Sequence, residues 1–359
     1  MRTQLFIFIG CLLTFSGTAQ DVGFSQLYDQ PLLRNPALAG IFAGDVRFTA
    51  SYRNQWQSVT IPYRTFGLSS EFRLPVNVVP DDNITLGLQL FKDIAGTSEF
   101  SAVQILPAVN YSLPMSEETN SYLSLGLMSG LRQQQFDPAK LILNDQFVAL
   151  SNGSFSILPA SRQVFDHTSV NYFDLSVGLS YTGIWNDAID YYIGAALFHI
   201  NKPQVGFFQG STILLNRKLA FNAGFSLPVS ETDQFIIHGD YFKQYDDQFK
   251  PAGKSTLQLG VLYSHDWYLV DDDRSAFTLG MLYRMNDAVV PVIKLELSRF
   301  VIGLSYDVNI SQLVVASGYR GGFELTVSFR DFLNGLANDR RVRYPGSGSS
   351  TIRDHFIGY

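Results

Sequence analysis

Five histidines and a run of three aspartates are the residues of this sequence that could bind a metal ion or act in catalysis. The histidines are far apart and lack the spacing of a metal-binding motif; they are His167, His199, His238, His265 and His355. Asp271, Asp272 and Asp273 are consecutive, whereas calcium loops need ligands at alternating positions around a glycine turn. We therefore interpret the aspartates as a solvated turn. The sequence contains no nucleophile or phosphate-binding motif, so we expect no enzyme, no metal and no cofactor.

Charged side chains recur in segments where every second residue is apolar. In residues 46–53, Val46 and Phe48 alternate with Arg47, and the pattern continues to Arg53. Successive side chains of a strand point to opposite faces, so each segment has one apolar and one polar face. The charged residues expected inside a closed barrel are Arg47, Arg53, Arg64, Glu71, Arg73, His238, Asp240, Arg284, Lys294, Glu296 and Glu324. They either line a wet channel or pair across the interior, because unpaired charges in a dry interior are very costly.

Fourteen segments of the sequence alternate in this way. They are residues 46–53, 65–73, 84–90, 100–113, 121–135, 172–185, 190–200, 218–228, 235–244, 255–268, 275–285, 290–298, 300–307 and 321–332. An even number of strands fits a closed antiparallel barrel with both ends in the periplasm. A soluble β-sandwich has alternating strands too and is the alternative fold.

The composition favours a barrel in a membrane. Aromatic residues make up 14% of the chain and charged residues only 16%, against roughly 25% charged residues in soluble domains. The expected fold is therefore all-β, a transmembrane antiparallel β-barrel in contact with outer-membrane lipid. Aromatic residues near strand ends are expected to anchor it at the membrane interfaces; they are Trp185, Tyr191, Tyr192, Tyr263, Trp267 and Tyr268. A net charge of −6 gives no indication of nucleic-acid binding.

The two ends of the chain differ from the alternating part. Residues 1–19 carry Arg2, an apolar run and small residues, which is typical of a secretory signal peptide. The only cysteine, Cys11, lies within it, so we expect no disulfide in the mature chain. The expected organisation is a signal peptide at 1–19, an N-terminal periplasmic or plug segment at 20–45, the barrel at 46–332 and a periplasmic C-terminal tail at 333–359.

Long and short connections alternate along the sequence, as they do in outer-membrane barrels, whose short turns face the periplasm. If the first strand runs outward, the long outer loops include residues 136–171, 201–217, 245–254 and 308–320. The short periplasmic turns include residues 186–189, 230–234 and 298–299. We expect the outer loops to carry function more often than the wall.

Three motifs near the N-terminus and four later ones form an ordered set. The first three are Phe24-Ser25-Gln26-Leu27-Tyr28, Asn35-Pro36-Ala37-Leu38-Ala39-Gly40 and Tyr52-Arg53-Asn54-Gln55-Trp56. The later ones are Tyr172-Phe173-Asp174-Leu175-Ser176 with Gly178, Tyr192-Ile193-Gly194 with His199, Gly303-Leu304-Ser305-Tyr306-Asp307, and Gly321-Gly322-Phe323-Glu324-Leu325. Together they resemble the PorP/SprF family of outer-membrane proteins of the Bacteroidota, over essentially the whole mature chain.

The resemblance implies a barrel of about fourteen strands, similar to fatty-acid transport barrels. It also implies an accessory role with type IX secretion components, in secretion or surface attachment of a large adhesin-like protein and in gliding motility. It supplies no catalytic residues, and the individual roles of the motif residues stay unassigned. The alternative function is an outer-membrane channel or transporter for small or hydrophobic solutes. Residues 21–45 would form a plug, a periplasmic docking surface or a simple lead-in to the first strand.

Overall fold

The computed structural model describes residues 23–57, 61–116, 119–151, 153–159, 161–268, 274–312 and 314–333. Several predictions fall outside these residues, namely the signal peptide with Cys11, the aspartates 271–273, His355 and residues 334–359 of the tail.

The described residues form sixteen strands. They are β1 (Val46–Gln55), β2 (Tyr63–Pro75), β3 (Asn83–Ala95), β4 (Phe100–Ser116), β5 (Ser121–Gln135), β6 (Phe147–Ala149), β7 (Phe155–Ile157), β8 (Ser169–Trp185), β9 (Ile189–Phe198), β10 (Arg217–Pro228), β11 (Asp233–Tyr245), β12 (Pro251–Tyr268), β13 (Arg274–Arg284), β14 (Ala288–Leu297), β15 (Phe300–Asn309) and β16 (Arg320–Asp331). All except β6 and β7 form one closed antiparallel barrel of fourteen strands, which β1 and β16 close by pairing along their whole length. The predicted barrel is confirmed, and each predicted segment corresponds to one of its strands.

Side chains alternate between the two surfaces of the barrel. On β5, Leu123, Leu125 and Leu127 are exposed on the outside, whereas Ser124 and Met128 are buried inside. The outer surface can therefore face hydrocarbon, and closure leaves no strand edge with unpaired backbone groups. Among the described residues, no helix has the length and apolar character needed to cross a membrane.

The longest connections lie at one end of the barrel. The β5–β8 connection contains the hairpin of β6 and β7, and the β9–β10 connection spans residues 199–216. At the opposite end, β8 turns into β9 through Asn186 and Asp187, whose φ angles of 51° and 52° suit these residue types in a tight hairpin. We call the first the outer end and the second the periplasmic end, following the usual loop lengths of outer-membrane barrels. The outer loop predicted at 245–254 is shorter, because β12 begins at Pro251.

Residues 23–45, which we call the lumen segment, lie inside the barrel. Pro31 and Pro36 each start a single helical turn, Pro31–Arg34 and Pro36–Leu38, after a first turn at Leu27–Asp29. Proline suits the first position of a turn because it has no N–H to satisfy. The apolar side chains of the segment pack with inward side chains of the wall; one such cluster joins Leu32 to Leu106, Ala108, Met128, Ala196, Phe198 and Ala220. The hydrophobic core therefore lies between the segment and the wall.

Candidate functional site

The lumen segment passes through the barrel from its outer end to its periplasmic end. Near the outer end, the backbone C=O of Gly23 accepts a hydrogen bond from Arg53 Nη1. At the periplasmic end, the backbone N–H of Asp45 donates to the C=O of Asp331, the last residue of β16 (2.8 Å). The chain then reverses and runs outward as β1.

Glu324 on β16 holds the start of the lumen segment by its backbone. Its two carboxylate oxygens accept hydrogen bonds from the N–H groups of Ser25 (2.6 Å) and Gln26 (2.9 Å). The Nε atom of Arg53 lies 3.9 Å from the same carboxylate. Glu324 is buried, and hydrogen bonds to a charged acceptor are stronger than neutral ones. This carboxylate therefore fixes both the position and the direction of the segment.

Asp307 on β15 lies between two guanidinium groups. Arg53 Nη2 and Arg284 Nη2 each donate to its Oδ2 atom at 2.7 Å, and Ser25 Oγ donates to its Oδ1 atom at 2.5 Å. Asp307 was quoted as part of a motif but was missing from the predicted interior charges. Asp307 is two residues after Ser305 on the same strand and therefore faces the same side of the wall. Strand periodicity could have placed it on the inner face.

An ion pair binds the middle of the lumen segment to the wall. Lys294 Nζ on β14 donates to Asp29 Oδ1 at 2.9 Å, and Thr326 Oγ1 donates to the other oxygen of this carboxylate at 3.2 Å. The ammonium group also lies 4.6 Å from the centre of the Tyr28 ring, a cation–π distance. Asp29 was missed by the sequence reasoning, although a charge in a proline-broken, largely apolar segment is unusual.

Arg34 forms the second ion pair between the segment and the wall. Its Nε atom donates to Asp240 Oδ1 on β11 (2.8 Å), and its Nη2 atom donates to the hydroxyl of Tyr192 on β9 (2.5 Å). Asn222 on β10 donates to the same Asp240 oxygen (2.7 Å). The prediction of Tyr192 as a membrane-interface anchor is wrong, because this side chain is buried inside the barrel. Its neighbour Tyr191 has the outward position of the strand.

Asn35, Pro36 and Ala37 fit against glycines of the wall. A Cβ atom at Gly126 on β5 would overlap the backbone of Pro36 and Ala37, and one at Gly178 on β8 would overlap the Asn35 side chain. Asn35 also accepts from the Ala37 N–H (2.9 Å) and donates to a backbone C=O of β8 (3.1 Å). Glycine allows the segment to approach the wall this closely. Motifs that are far apart in the sequence thus meet in the lumen.

The periplasmic end of the lumen segment is held by Glu71, Arg47 and Arg73. Glu71 accepts from the N–H of Gly40 (2.8 Å) and from Arg47 Nη2 (2.7 Å), while Arg73 Nη1 donates to the C=O of Gly40 (2.8 Å). The guanidinium carbons of both arginines lie over the ring of Phe42, at 4.6 and 5.2 Å from its centre. Gly40 has a φ of 81°, which favours glycine.

The other predicted site residues lie in several places. His238 is buried beside the Tyr28 ring, at 5.2 Å between ring centres, and Glu296 pairs with Arg330. Arg64 is exposed on the outer surface of β2, so its predicted interior position is wrong. The parity of the strand explains this, since Thr65 and Glu71 have the inward positions.

The third motif lies at the outer end of β1, and only its Arg53 binds the lumen segment in the contacts above. The rings of Tyr52 and Phe66 lie 4.9 Å apart, and those of Trp56 and Tyr63 lie 5.1 Å apart. Asn54 donates to the side chain of Gln57, and Gln55 pairs with β16. This motif shapes the outer rim of the wall, whereas the first two shape the lumen.

A further interior cluster was missed by the sequence reasoning. Asp174 on β8 contacts His199 Nδ1 (2.9 Å) and Arg132 Nη2 on β5 (2.7 Å). All three side chains are buried. They bind the β5 and β8 strands to the end of β9 below the outer loops. The spacing of histidines along the sequence could not reveal a pair that adjacent strands bring together.

One small cavity lies beside the lumen segment. It has a volume of about 40 Å³ between the segment and the wall, and is lined by Tyr28, Arg34, Tyr192 and His238 among others. Such a cavity has room for a few water molecules. In the described part of the chain, no group of three His, Cys, Asp or Glu residues could hold a metal ion. The geometry is that of a barrel whose lumen holds its own N-terminal segment, with interior charges paired to that segment or to each other.

Comparison with known families identifies the chain. The family model described as type IX secretion system membrane protein PorP/SprF matches residues 16–329. The chain belongs to this family. The PorP/SprF protein is therefore an outer-membrane component of the type IX secretion system and associates with other components of that system. No curated protein sequence matches the chain.

Solved structures similar to this PorP/SprF protein are other outer-membrane barrels. The Ralstonia pickettii toluene transporter TbuX is 12% identical, with 87% of this chain and 93% of that chain covered and a TM-score of 0.45. A Pseudomonas aeruginosa FadL homologue is 9% identical, with coverages of 82% and 92% and a TM-score of 0.46. BamA from Haemophilus ducreyi is 10% identical, with coverages of 80% and 70% and a TM-score of 0.41.

Proposed function

We propose that this protein is a closed accessory barrel that supports secretion or surface attachment of a large adhesin-like protein, and gliding motility with it. In this proposal the barrel binds partners at its ends and does not act as a channel. One observation supports it most: the protein's own N-terminal segment lies in the lumen from Gly23 to Asp45, is ion-paired to the wall through Asp29 and Arg34, and is held at its start by hydrogen bonds from Ser25 to Glu324 and Asp307.

The lumen segment is, in this proposal, a plug and not a simple lead-in to β1. A lead-in would need contacts only near the periplasmic end, beside Arg73. Instead its first described residues bind Glu324 and Asp307 close to the outer end. The alternative function is a channel or transporter for small or hydrophobic solutes. It would require the segment to leave the lumen, and several buried charges would then lose their partners.

The two long outer loops pack against each other and form one surface. Phe136 packs edge-on against Phe165 in its own loop (5.1 Å between ring centres) and against Phe207 in the β9–β10 loop (5.2 Å). The backbone N–H of Gln209 donates to Asp166 across the two loops (3.2 Å). This packing makes the loops a defined unit that a partner protein can recognise.

This loop surface exposes many apolar side chains to water. They are Ile142, Phe147, Val148, Leu150, Phe155, Ile157, Leu158, Val164, Phe208, Ile213 and Leu214. Large exposed apolar patches mark sites of protein interaction. Within the loop, hydrogen bonds from the Arg162 backbone and Ser161 to Asp145 lower the pKa of that carboxyl below its usual range. We propose that the adhesin-like partner binds this surface.

Cysteine cross-linking tests the proposal, because Cys11 is the only cysteine and lies in the predicted signal peptide. Cysteines replace Val164 and Phe208 in the outer loops and, as a control, Asp187 in a periplasmic turn. We expect adducts with one large secreted protein from the two loop variants and none from Asp187→Cys. If no outer-loop position gives an adduct in cells that display the adhesin, the proposed contact is wrong.

A further inference from the structure

Two basic side chains face outward near the outer end of the wall. Arg64 on β2 and Lys92 on β3 are both exposed. In the register of these strands Arg64 pairs with Ile94 and Phe66 pairs with Lys92. The two residues are therefore diagonal neighbours on one face, with Cα atoms about 7–8 Å apart. Among the described residues, neither cation has an acidic partner.

A groove runs along the outer surface just below these cations. It has a volume of about 380 Å³ and is lined by Phe48, Thr49, Ala50, Leu68, Ser69, Ser70, Leu88, Leu90, Val327 and Phe329. Ala50 and Ser70 have short side chains in outward positions, between the larger Phe48 and Leu68. Short side chains in a wall of large ones leave room for a slender apolar group.

The strand register places the groove and the cations in line. Across the wall, Val327, Ala50, Leu68 and Leu90 form one row of paired residues. Lys92 lies two residues nearer the outer end of β3 than Leu90. Arg64 lies four residues nearer the outer end of β2 than Leu68. The charged end of the site thus lies where the apolar band of the wall stops.

The position of these cations favours an anionic neighbour. A charge beside the hydrocarbon layer is costly unless it reaches the headgroup level, and long basic side chains do so by extending toward it. Phosphate groups of lipids lie at that level, and arginine binds phosphate through paired hydrogen bonds. We propose that the wall of β16, β1, β2 and β3 binds a phosphorylated lipid of the outer leaflet, with an acyl chain in the groove and a phosphate between Arg64 and Lys92.

Lys243 provides a matched control on another part of the wall. It also has an outward position near the outer end of its strand, β11, but its Nζ atom donates to the C=O of Gly253 (3.0 Å). The groove beside Arg64 does not include this residue. Replacing Lys243 removes one outward positive charge without touching the proposed site.

Native mass spectrometry of the purified mature protein in detergent tests the proposal with diphosphorylated lipid A. The same lipid without its phosphates serves as the second probe. We expect the wild-type protein to retain the phosphorylated lipid, and the variant R64Q/K92Q to retain it about 10- to 30-fold less. Lys243→Gln should bind as the wild type does. Ser70→Leu, which fills the groove with an apolar side chain, should weaken retention of both lipids.

Three results would overturn the proposed lipid site. They are equal retention by the wild type and R64Q/K92Q, equal retention of the two lipids by the wild type, and no retention by the wild type at all. Heat-dependent mobility of each variant in gel electrophoresis shows whether the barrel is folded. Because all substitutions face outward and leave the interior ion pairs in place, we expect every variant to pass this control.

Discussion

The lumen segment and the outer loops use the same kinds of side chain in opposite ways. Phe24, in the lumen, is 1% exposed and packs edge-on against Phe91 of the wall. Phe155, on β7 in an outer loop, is 72% exposed. Inside the barrel, apolar groups are covered and charges are paired within the chain. In the outer loops, apolar groups face water in a hairpin that has only two strands.

The difference indicates which region serves a partner. A region whose apolar groups are covered and whose charges are paired within the chain stabilises the fold, and we propose that it closes the lumen. A two-stranded hairpin is marginal by itself, and exposed apolar surface is costly unless something covers it. We therefore expect substitutions in the lumen to lower stability, and substitutions in the loops to lower partner binding.

The largest loss of stability is expected when Asp307 is replaced. Asp307→Ala leaves Arg53 and Arg284 buried without their shared carboxylate, which should lower the free energy of unfolding by about 3–5 kcal/mol. Urea unfolding in detergent micelles measures it. The control Asp287→Ala removes a more exposed partner of Arg284. The Asp287 side chain is 42% exposed, so its loss should lower the free energy of unfolding by less than about 1 kcal/mol. Equal losses in both variants would contradict the role given to the buried cluster.

A smaller loss is expected when a wall glycine is replaced. Gly126→Ala places a Cβ atom against the backbone of Pro36 and Ala37, and such overpacking should lower the free energy of unfolding by about 1–3 kcal/mol. Limited proteolysis should then cut the lumen segment faster. At Gly23 a Cβ atom would meet nothing within 4 Å, so Gly23→Ala serves as the control. An unchanged cleavage rate in Gly126→Ala would mean that the segment does not depend on this close fit.

The smallest change in stability is expected in the outer loops. Replacing Phe155 and Val164 together by serine should alter the free energy of unfolding by no more than about 0.5 kcal/mol. The same variant should capture less of the proposed adhesin-like partner in a pull-down from cell surfaces. Wild-type capture by this variant would weaken the comparison, and a large loss of stability would show that the loops are part of the core.

The strands of the barrel could be predicted because their pattern is local. Alternation with period two reveals each strand and its two faces without knowledge of its neighbours. The errors at Arg64 and Tyr192 arose where residue type was given more weight than parity. Both residues are placed correctly by counting from inward residues of the same strand, such as Thr65 on β2.

The contacts of the lumen segment could not be predicted in the same way. Ser25 binds Glu324, almost the whole chain away, and Arg34 binds Asp240. Such pairs depend on closure of the barrel, which brings distant strands around one segment. The family motifs include Ser25 and Glu324 but neither Arg34 nor Asp240, and motif membership gives no partner. The cluster of Asp174, His199 and Arg132 was missed for the same reason.

We propose that the protein's own lumen segment closes the barrel, and conductance across a planar bilayer measures whether it does. The purified wild-type protein should insert without producing a steady ion current, whereas a variant lacking residues 24–40 should conduct if it folds. A stable, reproducible current through the wild-type barrel would contradict the account and favour a channel for small solutes.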